Sequence, residues 1–347
     1  MKILDNIGKI FKADTADLIN WEANTDDYIF SMLNFDKRHF LMVFDSSAAI
    51  TILQTQNGKV LHKVQLEANM AFFAEKNSEG NTVIIGTDKG LFKMDVSTFE
   101  VDYFLKNNNW FEKGTWGNNY FLTSSGKTLW VYELIDYALI LVKKDDSFNS
   151  TISGIVFNKG SFLVSNYGEI RAYEINDGFE TFESYPWQTS LLALAWSPNK
   201  RYISSGTQEK SVHFWEYPFE QDADFEISGF NRKITQICWS DDSKLLALNS
   251  DDDVHIWSFK NGPPINASPQ TLRGGLGNIT KIYFKKELLL AASKEGFIIA
   301  FTPRLRSKLI NIKSVDGEIT EMTTDDREET LFVGTAEGKV FSFDIDI

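Results

Sequence analysis

The chain has 347 residues, 43% hydrophobic and 14% aromatic, ample for a packed core. Its formal net charge of −13 argues against a surface that tracks nucleic-acid phosphates, and suits a soluble protein that resists self-association. The single cysteine, Cys238, excludes a disulfide within the chain and points to a reducing, cytoplasmic compartment.

In chain order, MKILDNIGKIFK places Ile3, Ile7, Ile10 and Phe11 at helical spacing. Asp5 and Lys9 interrupt the segment, which is too short for a signal-peptide core or a membrane span. It is expected to form a tail or short helix over residues 1–14 that docks on a partner or membrane surface, or lies against the protein's own flank. Residues 15–23, TADLINWEA, read as a lone strand centred on Asp17–Trp21.

From residue 28 onward the chain repeats one unit: an apolar run, a turn, a second run, a tight turn, a third run, then a more polar fourth. The units fall near 28–66, 67–105, 106–143, 151–184, 190–229, 233–273, 278–313 and 318–347. TDKG, SKEG and TAEG mark the tight turn between second and third runs, where glycine supplies a positive φ. One column of large apolar residues ends the third runs: Leu53, Met94, Tyr132, Tyr173, Trp215, Trp257, Phe301 and Phe343, spaced 38 to 44 residues apart. A period of about 40–45 residues with four strands per unit is that of a β-propeller. The last unit, ending in KVFSFDIDI, has three strands, so the lone strand near residues 15–23 is expected to complete it and close the ring. The expected fold is therefore all-β, a single propeller domain over 15–347 with eight blades; seven is the alternative, if the first unit packs differently.

The units at 191–219 and 234–259, with SVHFWE and DVHIWS as third strands, resemble the WD repeat. The resemblance implies a propeller of degenerate WD repeats. The usual repeat adds a Gly-His pair before the first strand, an Asp in the turn before the third, and a buried hydrogen-bond network joining these to a Ser or Thr and the Trp. This chain has no Gly-His pair, and the column keeps Trp only at 215 and 257, so apolar packing between blades is expected to carry most of the stability. Residues 191–345 look similar to bacterial cytoplasmic WD-repeat proteins sometimes encoded beside CobW-type metal-chaperone GTPases. The carrying stretches are ALAWSPNKRYISSGTQEKSVHFW, the SGF before ITQICWS, and HIWSFKNGPP.

No HExxH, GxSxG, P-loop or GxGxxG in a strand-to-helix context is present, so no catalytic residue and no cofactor is expected. His213 and His255 stand two residues before the reference Trp in successive units. With Cys238 they could be imagined as a zinc site, or as packing residues like Trp130 in the same column. The acidic runs 251–253 and 325–326 suit solvated turns, with calcium as the alternative.

A propeller's loops sit on a rigid scaffold and carry its binding function. The turns between second and third strands, and the lead-ins to first strands, contain Trp110, Tyr167, Trp187, Gln208, Glu209, Phe230, Arg232, Asp251, Asp252, Lys294 and Glu295. Aromatic residues and Arg are the usual interface hot spots, so an aromatic-basic patch from YPWQ (185–188) and FNRK (230–233) is the sharpest candidate. The alternative is that Trp187 and Phe230 tuck under their own loops. The expected function is a non-catalytic scaffold for a protein or peptide, with neither nucleic acid nor a membrane span. Its alternative is an accessory protein in zinc handling, partnered with a GTPase metallochaperone.

Overall fold

The structure, a computed structural model, describes residues 19–345 apart from 180–181, 220–223, 251, 266, 273–276, 287 and 304–307. The expected segment over 1–12 and the start of the expected closing strand, Asp17 and Leu18, lie outside the described residues. So does Asp251.

Eight four-stranded antiparallel sheets follow one another along the chain. Blade 1 is built from Ile29–Phe35, Phe40–Asp45, Ala49–Gln54 and Val60–Gln65; blade 2 from Ala71–Lys76, Thr82–Thr87, Gly90–Asp95 and Val101–Lys106. Blade 3 takes Lys113–Gly117, Tyr120–Ser125, Thr128–Ile135 and Ala138–Asp145; blade 4 takes Ile152–Asn158, Ser161–Asn166, Glu169–Glu174 and Phe182–Pro186. Blade 5 comprises Leu191–Trp196, Tyr202–Thr207, Val212–Glu216 and Asp224–Ile227; blade 6 comprises Ile237–Trp239, Leu245–Ser250, Asp253–Ser258 and Gln270–Leu272. Blade 7 runs through Ile279–Lys285, Leu288–Ser293, Phe297–Thr302 and Lys308–Ser314. Blade 8 has Ile319–Thr324, Thr330–Thr335 and Lys339–Asp344, and its fourth strand is Ile19–Asn24 from the other end of the chain. Tyr185 and Pro186, expected in a loop, belong to the outer strand of blade 4, where they pair with Ile170 and Glu169.

The repeating column explains why the sheets form where they do. Every member sits on a third strand and is at most 7% exposed. Across the ladder Met94 faces Val83, Tyr132 faces Phe121, Tyr173 faces Phe162 and Trp215 faces Ile203. In the later blades Trp257 faces Leu246, Phe301 faces Leu289 and Phe343 faces Leu331. Such apolar cross-strand pairs fix register, because a slip by one residue would turn each column side chain to the opposite face.

The chain divides into two compact units. One comprises Met1–Asp45, Thr51–Lys63 and Phe230–Ile347; the other comprises Ser46–Ile50 and Val64–Gly229. In the second, successive blades share apolar layers: Phe73, Ile84 and Leu91 with Phe111, Trp116 and Phe121, then Leu122 and Val131 with Phe148, Ile152 and Phe162, then Leu163 and Ile170 with Leu191, Trp196 and Trp215. In the first, Ala247 and Ile256 pack with Ile282 and Leu289, Leu290 with Met322 and Leu331, and Trp21 and Phe332 with Ile29, Met32 and Val43. Each fully buried Leu, Ile or Phe contributes on the order of 1.5–3 kcal/mol. The blades are held by these layers, as the missing Gly-His pairs led one to expect.

Among the described residues, no WD-type hydrogen bond reaches the Trp in the two blades where it was best placed to occur. The indole N–H groups of Trp215 and Trp257 are buried without a hydrogen-bond partner among the described residues. A further regularity was not legible in the sequence. The first strands of blades 1, 2, 4, 5, 7 and 8 each carry a register shift just after their first residue, as at Ala71/Phe73 and Ile152/Gly154. Such bulges re-aim a side chain at a strand end.

Candidate interaction surface

The turns between second and third strands hold the lead-ins to the first strands. Asp88, in the TDKG turn and 7% exposed, accepts hydrogen bonds from the N–H groups of Asn69 and Met70 at 2.9 and 3.1 Å and from Asn69 Nδ2 at 2.7 Å. Burial alone would raise its carboxyl, but these donors and Lys89 outweigh it and hold the group below the ordinary carboxylate value. Asn249 plays the same part in blade 6, accepting from the N–H groups of Thr235 and Gln236 at 3.1 and 2.9 Å. In blade 4 the direction is exchanged: the N–H of Tyr167 donates to Ser150 Oγ at 2.9 Å, and that hydroxyl donates to the Tyr167 carbonyl at 3.0 Å.

This clamping sets which lead-in side chains face solvent. In blade 3 the N–H of Asn107 donates to the Lys89 carbonyl and that of Phe111 to the Thr87 carbonyl, both at 3.1 Å. Phe111 is fully buried, and its neighbour Trp110 is left 52% exposed. The Trp110 indole stacks on Phe72 with ring centroids 5.3 Å apart and planes 27° from parallel. Phe72 is the half-buried bulge residue of the first strand of blade 2. Met70 is 43% exposed at the equivalent lead-in of blade 2, and Tyr167 in blade 4 is 56% exposed.

Trp187 is placed differently. Its indole N–H donates to Thr189 Oγ1 at 3.0 Å, and its ring lies 3.8 Å from His213 and 5.4 Å from Trp215. It is half-buried against its neighbouring blade. Phe230, also half-buried, lies 5.7 Å from the His255 ring, while the exposed Arg232 donates to Asn278 Oδ1 at 2.6 Å. Gln208, Glu209, Asp252, Lys294 and Glu295 are exposed in their turns. Lys294 pairs with Glu318 at 3.3 Å, and the Glu295 carboxylate lies over Gly277, the lead-in of its own blade.

The residues imagined as zinc ligands have other surroundings. His213 is 4% exposed, and its Nε2 is 2.8 Å from Asp224 Oδ2. Burial holds its imidazole below the ordinary value despite the pull of Asp224 in the other direction. His255 Nδ1 is 3.0 Å from Thr271 Oγ1. Cys238 packs on the apolar layer of blades 6 and 7, and burial pushes its thiol pKa up. Among the described residues no group of three or more His, Cys, Asp or Glu side chains is arranged to hold a metal ion.

A buried polar cluster joining the end of blade 3 to blade 4 also went unread in the sequence. Arg171, 5% exposed and two residues before Tyr173, reaches Glu169 at 2.6 Å, Asp145 at 3.4 Å and Ser147 Oγ at 2.6 Å, and its guanidinium covers Phe148. Tyr173 donates to Asp145 at 2.8 Å. Arg171 occupies the same position in its blade as Trp130, His213 and His255, so this column accepts either rings or a neutralised charge.

Comparison with known proteins agrees with this architecture. The WD domain, G-beta repeat family (WD40) matches residues 181–216 and 225–258, the stretches that end near Trp215 and Trp257. No curated protein matches the sequence. Among solved structures the chain is similar to the computationally designed Ika8 protein, at 15% identity and a TM-score of 0.79, over 94% of this chain and 100% of that one. It is also similar to Sqt1 of Saccharomyces cerevisiae, at 10% identity and a TM-score of 0.79, over 95% of this chain and 100% of that one. A chain in the crystal structure of the Mitotic Checkpoint Complex matches at 11% identity and a TM-score of 0.64, over 80% of this chain and 90% of that one. At such identities the likeness speaks for the fold. Two stretches, residues 181–216 and 225–258, match the WD40 repeat, and the fold is an eight-bladed β-propeller, not the seven-bladed alternative. No helix among the described residues is long and apolar enough to cross a membrane.

Proposed function

We propose that this protein is a non-catalytic scaffold that recognises another protein or a peptide through the loops at its first-strand lead-ins and second-to-third-strand turns. The observation that carries the reading is Trp110, half out of the surface yet held by its stack on Phe72. A large, rigid, solvated aromatic supplies contact area at little entropic cost, which is why Trp and Tyr dominate interface hot spots. Met70, two residues before Phe72, and Tyr167, in the turn between second and third strands of blade 4, are further exposed apolar side chains of the same compact unit. Fold alone does not fix function, so the reading rests on these side chains. Zinc handling beside a GTPase metallochaperone gains no supporting observation, since His213 is engaged by Asp224 and Cys238 is held as a thiol.

The test is affinity capture from the native lysate with three baits: wild type, Trp110→Ala/Tyr167→Ala and Trp187→Ala/Arg232→Glu, each checked by circular dichroism. A partner that binds wild type in proportion to bait, and is lost in the first variant, supports the reading. A partner lost only in the second relocates the surface to the 185–188 and 230–233 stretches. A partner indifferent to both sinks the assignment to these loops.

A further inference from the structure

We infer that the outer edge of blade 3 joins two copies of this chain, the strand Ala138–Asp145 of one pairing antiparallel with the same strand of the other about a two-fold axis. In this blade Thr128–Ile135 and Ala138–Asp145 are eight residues long, where the other described strands have three to seven. Asp136 and Tyr137, with φ of +48° and +64°, form the two-residue turn between them. Ile135 and Ala138 close that turn, so alternation along the strand points the N–H and C=O groups of Leu139 and Leu141 outward. Among the described residues no strand pairs with that edge. The hairpin is held from its other side: Leu134 and Leu139 pack on the apolar layer of blades 2 and 3, and Lys93 donates to the Tyr137 carbonyl.

Every blade has an outer edge, but this one lacks the usual protection, since charged side chains keep strand edges from pairing with other chains. Lys63, Asp102, Glu183, Glu226 and Glu22 interrupt the outer strands of blades 1, 2, 4, 5 and 8. That of blade 6 has three residues, and that of blade 7 has Lys308 and Lys313 on either side of a run containing Asn311. In blade 3, residues 138–142 read ALILV, apolar throughout. Ile140, Leu141 and Val142, with Ile135 and Tyr137 at the turn, are 42–69% exposed.

These five residues leave on the order of 500 Å² in solvent, toward the upper end of the largest patch on a typical monomer. Two copies that cover it against each other remove up to about 1,000 Å², the size a specific interface must reach, before the strand backbones are counted. The edge also sets the occupant's form: an extended segment with free N–H and C=O groups and no charge at its centre. The chain carries that segment in this same strand. Antiparallel pairing of a strand with itself is isologous, so it consumes both edges and stops at two copies. A net charge of −13 repels one copy from another, which favours contact at the uncharged stretch and makes the pair tighten as salt screens the repulsion.

The test is sedimentation equilibrium of the full chain over a wide range of concentration, at low and high salt. Wild type should pass from monomer to dimer, with its midpoint at lower concentration in high salt. Ile140→Lys/Val142→Lys, both in solvent, should keep the melting temperature of the wild-type monomer and weaken dimerisation by about tenfold or more. Trp110→Ala should dimerise as wild type does, which separates failure here from failure of the scaffold reading. Among Leu139→Cys, Ile140→Cys and Leu141→Cys, oxidised singly, the residue on the axis should give a disulfide-linked dimer far more readily than Leu61→Cys on the outer strand of blade 1. A dimer unaffected by the lysine pair, growth beyond two copies, or cross-linking no better than at Leu61 overturns the inference. So does a wild type that stays monomeric; slow hydrogen exchange at Leu139 and Leu141 would then assign the edge to another segment of this chain, and fast exchange to a different protein.

Discussion

Trp21 gives the sharpest test of how the chain's two ends are joined. It lies on the strand Ile19–Asn24 that completes blade 8, is 8% exposed, and packs on Phe332 with ring centroids 5.8 Å apart. Its indole N–H donates to the Thr55 carbonyl at 2.8 Å, and Gly58 lies so close beneath the ring that a Cβ there would stand 2.5 Å from it. Trp21→Ala removes the ring, its hydrogen bond and the filling of the slot over Gly58, for an expected loss of about 3–5 kcal/mol. At roughly 2 °C per kcal/mol for a chain of this size, the melting temperature should fall by about 6–10 °C. Trp21→Phe keeps most of the packing and gives up one hydrogen bond, so its loss should be near 1 kcal/mol plus a small cavity term. The assay is thermal unfolding followed by intrinsic fluorescence and by circular dichroism at fixed concentration. A drop below about 2 °C for Trp21→Ala would refute the view that this strand is an integral part of blade 8.

Other substitutions test separate features. Because the buried indole N–H groups of Trp215 and Trp257 have no hydrogen-bond partner among the described residues, Trp257→Phe should cost only its packing, within about 1.5 kcal/mol by urea unfolding; a loss above about 3 kcal/mol would indicate a hydrogen bond there. Gly90→Ala should destabilise by about 2 kcal/mol or more, since φ is +128° and its Cβ would stand 1.9 Å from the Leu105 carbonyl oxygen; an unchanged urea midpoint would contradict that geometry. Burial would raise the carboxyl of Asp145, but Ser147, Tyr173 and Arg171 hold it below 3.8, so its stabilisation is present above that pH and lost as pH falls through the lower folded value. Asp145→Asn should therefore be less stable than wild type at pH 7 and converge with it in acid; parallel curves would refute the linkage. His213, neutral and buried, resists a proton that the unfolded chain takes up below about 6.5, so wild type should lose stability from pH 7 to pH 5 and His213→Gln should lose less. Equal losses in melting temperature would place the effect elsewhere.

The sequence by itself determined the blades. Periodic apolar runs, tight glycine turns and the column from Leu53 to Phe343 are local and repetitive, and burial of that column follows because each blade must hide the same face. The closing strand was legible because the last unit lacked one strand and the lone stretch near residues 15–23 was there to fill it; the described strand runs Ile19–Asn24. Which aromatic residues stand in solvent was decided only by the tertiary structure. Trp110 and Trp187 occupy comparable lead-ins, but the buried Phe111 takes the inward slot beside Trp110, whereas His213 and Trp215 offer Trp187 a wall. Met70 and Phe72 were missed because their exposure and stacking depend on the Asp88 clamp and on a bulge, and neither leaves a periodic trace. The Arg171 cluster was hidden for the same reason. A charge can be buried only where its partners converge: Glu169 lies two residues before Arg171 on its own strand, but Asp145 and Ser147 reach it from the end of the preceding blade and the loop after it, which sequence spacing does not bring together.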